Sequence, residues 1–198
     1  MAYTIVGLGN PGEEYVETRH NVGRMVLEII QKTKDFEEWK ENKKSKALIS
    51  KGMLGKQKVT LVLPETFMNK SGESVKILVK SPKLAEKMVV VHDDLDLPLG
   101  TLKVSFNRGA GGHKGLESVI KGVKTEKFAR IRIGISPENK KGGVKKPSHE
   151  NIIDNFIVDP FKPAEMLEIK KVLKRAVEAV EMIATEGVEK GMGEFNRK

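Results

Sequence analysis

Cysteine is absent from this chain, which removes thiol nucleophiles, disulfides and cysteine-ligated zinc, and fits a cytoplasmic protein. No apolar run is long enough to cross a bilayer, and the first residues lack the basic-then-apolar pattern of a secretory signal. The eight prolines and nineteen glycines are scattered, with no internal repeat, low-complexity tract or linker. There is no Gly-x-Ser-x-Gly elbow. With serine-elbow and thiol chemistry gone, the simplest hydrolytic scheme is a histidine base that activates water.

Positive charge is abundant. The chain has 36 Lys and Arg against 27 Asp and Glu, a formal net charge of +9 and a pI near 9.5. Clustered cations gain free energy by releasing counterions from a phosphate backbone, so nucleic acid is the leading partner; a solvated lysine-rich surface is the alternative. Lysines crowd at Lys40, Lys43, Lys44, Lys46, Lys51, Lys56 and Lys58, at Lys140, Lys141, Lys145 and Lys146, and at Lys170, Lys171, Lys174 and Arg175. A length of 198 residues suits one sizeable core, and a single α/β domain is the expectation.

The segment richest in chemistry is Gly7-Leu8-Gly9-Asn10-Pro11-Gly12, followed by Tyr15 and Thr18-Arg19-His20-Asn21. Glycines let backbone approach a ligand closely, and imidazole exchanges protons near neutrality. The same glycines follow an apolar run, residues 3–6, and spell the Gly-x-Gly-x-x-Gly dinucleotide fingerprint. Against that reading, Pro11 removes a donor, Glu13, Glu14 and Glu17 place negative charge where a pyrophosphate would sit, and helical periodicity starts only at Val22.

Periodicity predicts helices over residues 22–34, 116–122 and 163–186, and another after the loop 64–69 with Ser71 as its cap. Strands are predicted over 47–53 and 58–63 as a hairpin, then 88–91, 102–106 and 130–135, the last with one polar side. The continuous apolar run Met88-Val89-Val90-Val91 reads as a strand buried on both faces. It ends in His92-Asp93-Asp94-Leu95-Asp96, placing polar groups at a strand's C-terminal end, where open α/β sheets keep their sites. Residues 136–148 read as a polar loop, and the long last helix packs on the sheet.

Of four histidines, His20 is the best candidate base, beside Asn10 and Asn21. His149 reads as solvated, and neither His92 nor His113 has a second feature pointing to bond chemistry. The run 92–96 offers metal-binding donors, but its spacing matches no standard metal motif. The alternative is an aspartate that orients His20. Phe67, Met68 and Asn69 can seat a ring or backbone, and Asn69, as a buried amide, would need partners.

Taken in order, the glycine segment with Tyr15 and Thr18-Arg19-His20-Asn21, then Phe67-Met68-Asn69 with Ser71-Gly72, His92-Asp93-Asp94-Leu95-Asp96-Leu97-Pro98, Gly111-Gly112-His113 and Arg130-Ile131-Arg132-Ile133-Gly134 resemble the bacterial peptidyl-tRNA hydrolases. The resemblance implies a cytoplasmic monomer with a twisted mixed sheet between helices. It implies no metal, cofactor, membrane or obligate protein partner. The implied substrate is peptidyl-tRNA, hydrolysed at the ester joining peptide to the tRNA 3′ ribose. His20 then matches the base, Asp93 the carboxylate that keeps it basic, and Asn10 the amide that distinguishes blocked from free aminoacyl groups. Tyr15, Phe67, Met68 and Asn69 match contacts to the tRNA terminus and peptide, and Arg132 a cation clamping the 5′-phosphate.

Two positions depart from the pattern. Lys114 stands where the family usually has asparagine, and is expected to reach outward to a tRNA phosphate. Ser105 stands in place of a second clamping lysine, leaving Lys103 or Arg108 as substitutes. A non-catalytic RNA-binding relative of the hydrolases would need the charge but not His20, Asp93, Asn10 and Asn69 together.

Overall fold

The structure is a computed structural model describing residues 2–139, 143–145 and 150–197. Strands β1 (Tyr3–Gly7), β2 (Lys40–Asn42), β3 (Ala47–Leu54), β4 (Gln57–Pro64), β5 (Met88–Pro98), β6 (Leu102–Phe106) and β7 (Ala129–Ser136) form one sheet. Their order is β2-β3-β4-β1-β5-β7-β6. Strands β4, β1, β5 and β7 run parallel, while β2, β3 and β6 are antiparallel to their neighbours. The helices are α1 (Val22–Thr33), α2 (Ser71–Leu78), α3 (Pro82–Ala85), α4 (Lys114–Val123), α5 (Glu150–Val158), α6 (Pro163–Glu186) and α7 (Val188–Phe195).

Period-2 alternation divides the core. Ile5, Val89, Val91, Ile131 and Ile133 pack with Val26, Leu27 and Ile30 of α1 and Ile169, Val172 and Val180 of α6. On the other face, Val6, Val62, Met88 and Val90 pack with Val75 of α2 and Leu116, Val119 and Val123 of α4. This two-sided burial explains the unbroken apolar run in β5, each valine of which contributes about 1.5–3 kcal/mol of apolar burial. Strand order reverses at β1, flanked by β4 and β5. The crevice beyond the carboxyl ends of these parallel strands is where such sheets bind ligands.

The dinucleotide reading fails at this point. After β1 the chain makes a turn at Gly12 (φ 117°) and a 3-10 turn at Glu13–Tyr15, and α1 begins only at Val22. No helix N-terminus therefore follows the glycines to receive a pyrophosphate. Gly23 instead brings α1 against the sheet, since a β-carbon there would meet the carbonyls of Val91 and Leu8.

Several boundaries differ from the periodicity. β5 continues to Pro98 because β7 keeps pairing with it: Val91, His92, Asp93 and Asp94 oppose Ile131, Arg132, Ile133 and Gly134. Ser71 is the first residue of α2 and not its cap; its hydroxyl donates to the Met68 carbonyl of the preceding 3-10 turn. The alternation in β7 does not put both arginines on a wet face. Arg130 is 2% exposed, and its guanidinium donates to the carbonyls of Arg108 and Gly109 and lies 4.7 Å from the centre of the Phe128 ring. Burial lowers the Arg130 pKa to about 10, with Glu126 raising it and Arg132 adding to the depression. His149, Lys140, Lys141 and Lys146 lie outside the described residues.

Candidate active site

His20 sits in a 3-10 turn, Arg19–Asn21, that leads into α1. Its neighbour Asn21 ties this turn to the glycine segment through a reciprocal pair: the Asn10 N–H donates to Asn21 Oδ1 at 2.8 Å, and Asn21 Nδ2 donates to the Asn10 carbonyl at 2.9 Å. On the other side, the buried Arg19 guanidinium donates to the carbonyls of Phe156, Asp159 and Pro160 and to Glu165 at 2.7 Å. It also lies 4.4 Å from the centre of the Phe156 ring. These contacts fix α5 and the start of α6 beside His20.

Asp93, inside β5 and 2% exposed, accepts two hydrogen bonds on one oxygen. His20 Nδ1 lies 2.8 Å and His113 Nε2 3.0 Å from Asp93 Oδ1. Burial would raise this carboxyl, but the His20 and His113 imidazoles outweigh it and hold Asp93 well below the usual carboxylate range. An ionised carboxylate only accepts, so both ring nitrogens facing it carry hydrogen. His20 Nε2 is left as the lone-pair nitrogen, the form a general base needs.

His113 has a second task. It is the N-cap of α4, and its Nδ1 accepts from the N–H groups of Gly115 at 3.1 Å and Leu116 at 3.3 Å. Its hydrogen therefore belongs on Nε2, in agreement with the bond to Asp93. His92 completes the group from β5. Its Nδ1 donates to the Asp93 carbonyl at 2.6 Å, and its ring meets His113 edge-on at 4.9 Å between centroids. Burial first, and the neighbouring His113 second, hold His92 well below the ordinary histidine range, so it stays neutral.

His20, Asp93 and His113 present donor atoms within 4.8 Å of one another, which is metal-site spacing. They are occupied with each other, however. A cation would have to displace both N–H donors from Asp93, and ligation by His113 Nε2 would conflict with its cap. The run 92–96 does not converge as a metal cluster either: Asp94 Oδ2 accepts from Arg132 Nε at 2.7 Å, and Asp94 Oδ1 from the Asp96 N–H at 2.7 Å.

A cavity of about 630 Å³ opens beside the His20–Asp93 pair, with His113, Ser105, Arg108, Arg130 and Arg132 also in its lining. Ser105 Oγ is buried without a hydrogen-bond partner. Arg108 reaches this cavity, whereas Lys103 is not among its lining residues. Lys114 Nζ contacts both carboxylate oxygens of Asp154 on α5, at 3.0 and 3.1 Å. The ammonium expected to await a phosphate thus already has an anionic partner.

The remaining expected contacts lie outside this cavity's lining. Asn10 is buried, and its Oδ1 accepts from the Met68 N–H at 2.9 Å. Met68 is buried too, with its sulfur against Gly115. Tyr15 is half-buried, and Phe67 is 59% exposed. Asn69 is exposed, contrary to the expectation of a buried amide, because its 3-10 turn, Met68–Lys70, directs Met68 inward and leaves its neighbour outside. Asn69 instead borders a second cleft of about 400 Å³ between α2 and α4, rimmed by Lys70, Lys76, Lys121 and Lys124.

Sequence reasoning missed His113, Arg19 and Arg130. For His113 a signal was present: it stands after two glycines and immediately before a helical stretch, where an N-cap belongs. Arg19 and Arg130 act through contacts distant in sequence and leave no local signature.

Residues 4–198 match the family model described as peptidyl-tRNA hydrolase. The chain is 38% identical over 196 residues to the peptidyl-tRNA hydrolase of Thermodesulfovibrio yellowstonii, covering 98% of each chain. It belongs to the peptidyl-tRNA hydrolase family. The corresponding protein of Aquifex aeolicus is 42% identical over 178 residues, covering 87% of this chain and 85% of that one. The crystal structure of peptidyl-tRNA hydrolase from Acinetobacter baumannii superposes with a TM-score of 0.87 at 28% identity, covering 98% of this chain and 94% of the other. The mixed sheet with helices on both faces and a long helix near the C-terminus is thus the fold of the family. Among the described residues no helix is long and apolar enough to cross a membrane.

Proposed function

We propose that His20, oriented by Asp93, hydrolyses the ester between peptide and 3′ ribose in peptidyl-tRNA, the substrate for which the family is named. The observation that carries this reading is the 2.8 Å bond between His20 Nδ1 and Asp93 Oδ1, which leaves Nε2 free beside an open cavity. Water loses a proton to Nε2 as its oxygen attacks the ester carbonyl. Asp93 stabilises the resulting imidazolium, and collapse of the tetrahedral intermediate breaks the bond to the ribose oxygen, which takes that proton. The products are the peptide acid and tRNA. An ester has a better leaving group than an amide, so an oriented base supplying about 10²–10⁴-fold, together with positioning of water and carbonyl, meets the need.

Asn10 Oδ1 is committed to the Met68 N–H, which turns its Nδ2 donors to face a blocked aminoacyl group. Met68 adjoins that amide through its N–H, and Tyr15, Phe67, Met68 and Asn69 hold the tRNA terminus and peptide. Arg132 holds the 5′-phosphate, with Arg108 and the unpartnered Ser105 hydroxyl in place of the absent lysine. The four lysines of the α2–α4 cleft suit a phosphate backbone held without base readout.

Incubation with N-acetyl-aminoacyl-tRNA tests the reading. It requires release of the N-acetyl amino acid and intact tRNA, with little action on free aminoacyl-tRNA. Tight binding without release would favour a non-catalytic RNA-binding protein.

A further inference from the structure

His113 joins two structures that are otherwise separate, the start of α4 and the carboxylate behind His20. We infer that His113 is a positioning residue whose Nε2–H, locked in place by its helix-cap role, restrains the pull of Asp93 on His20 and so sets the acid limit of catalysis. This inference rests on the hydrolase reading above.

With Nδ1 accepting from Gly115 and Leu116, a proton placed there would cost both bonds, and the ring keeps a hydrogen on Nε2 aimed at Asp93. That hydrogen and the one from His20 converge on the same oxygen, at 3.0 and 2.8 Å. A carboxylate oxygen shared between two donors gives less to each. As His20 takes up a proton, Asp93 is the anion that holds it, so the His113 bond weakens that hold and lets His20 return the proton at lower pH.

Arg108 lines the same cavity and is common to both His113 variants, while the other neighbouring groups are neutral, paired or held. His92 packs against His113 as a buried neutral ring. Asp94 pairs with Arg132, Lys114 pairs with Asp154, and Arg130 is held by two carbonyls.

Two substitutions separate the tasks. Asparagine places Oδ1 where histidine places Nδ1, so His113→Asn keeps the cap and loses the donor to Asp93. Glutamine places its amide nitrogen near Nε2, so His113→Gln keeps the donor and loses the cap. The readouts are the pH dependence of kcat on N-acetyl-aminoacyl-tRNA and the thermal midpoint of each protein.

The expected result is that His113→Asn melts near wild type but moves the acid limb of kcat upward by about 0.5–1 pH unit, so that turnover at pH 5.5 falls about 3- to 10-fold. His113→Gln should melt lower and keep the wild-type limb. An unmoved limb in His113→Asn, or an equal shift in both variants, would overturn the inference. Absence of turnover in the wild-type protein would instead strike the hydrolase reading. In that event the inference is judged by NMR titration of His20, where His113→Asn must still move the midpoint upward and an unmoved midpoint refutes it.

Discussion

Replacing Asp93 by asparagine isolates charge from geometry in this site. Because His20 and His113 both bond to Oδ1, an asparagine oxygen in that place still accepts both hydrogens and keeps His20 in the tautomer with Nε2 free. What disappears is the negative charge facing the imidazolium. Unit charges about 4 Å apart interact by about 4 kcal/mol at an effective dielectric of about 20. A hydrogen bond to a charged group exceeds a neutral one by about 1–2 kcal/mol. Between these bounds the variant loses about 2–4 kcal/mol in the transition state, which is a fall in kcat of about 30- to 1,000-fold. That is less than the roughly 10⁴-fold loss seen when such a change also forces the wrong tautomer. Stopped-flow or quench-flow release of N-acetyl amino acid from saturating substrate measures it. The acid limb should move to lower pH, opposite to His113→Asn, because imidazolium is less favoured. A loss under about threefold, or a limb moving upward, would refute the assignment of Asp93.

Folding stability should decline as pH falls below about 6.5, the unperturbed value from which His92 is depressed. The unfolded chain takes up that proton and the native one does not, a slope of up to about 1.4 kcal/mol per pH unit in urea titrations; His92→Asn keeps the donor to the Asp93 carbonyl and should flatten the slope. Asp154→Asn removes the carboxylate charge that faces Lys114 and should tighten tRNA binding at low salt, an advantage that disappears near about 0.5 M salt. Unchanged affinity at low salt would show that Lys114 takes no part in binding. Arg132→Ala should reduce the salt dependence of tRNA affinity by about 0.7–0.9 in log–log slope, one phosphate's worth. It should also lose the discrimination between 5′-phosphorylated and dephosphorylated tRNA.

A pairing of His20 with a strand-end aspartate was legible in the sequence because each partner carries a local sign, an imidazole among turn residues and a carboxylate after a buried apolar strand; that the aspartate is Asp93 was what the family resemblance implied. Helix α6 matched its apolar stripe at both ends, Pro163–Glu186. Helix α7 was not legible, since Gly191 and Gly193 weaken its propensity and its support is tertiary: Phe195 is buried, and the Asn196 side chain pairs with both backbone groups of Val104 at 2.8 and 2.9 Å. The second histidine on Asp93 was hidden by its dual role, because a histidine in a cap position gives no sign of what its far nitrogen touches. Arg130 looked like half of a solvent-facing alternation. The loop carbonyls of Arg108 and Gly109, with the Phe128 ring, explain its burial.

A single-turnover comparison decides whether His20 Nε2 is the base that activates water. Wild-type protein and His20→Ala, both shown folded and both saturated with N-acetyl-aminoacyl-tRNA, are followed for release of the N-acetyl amino acid while tRNA binding is measured in parallel. If His20 is the base, His20→Ala binds tRNA as the wild type does and loses about 10²–10⁴-fold or more in the rate of release. A folded His20→Ala protein that releases product at the wild-type rate would contradict that role.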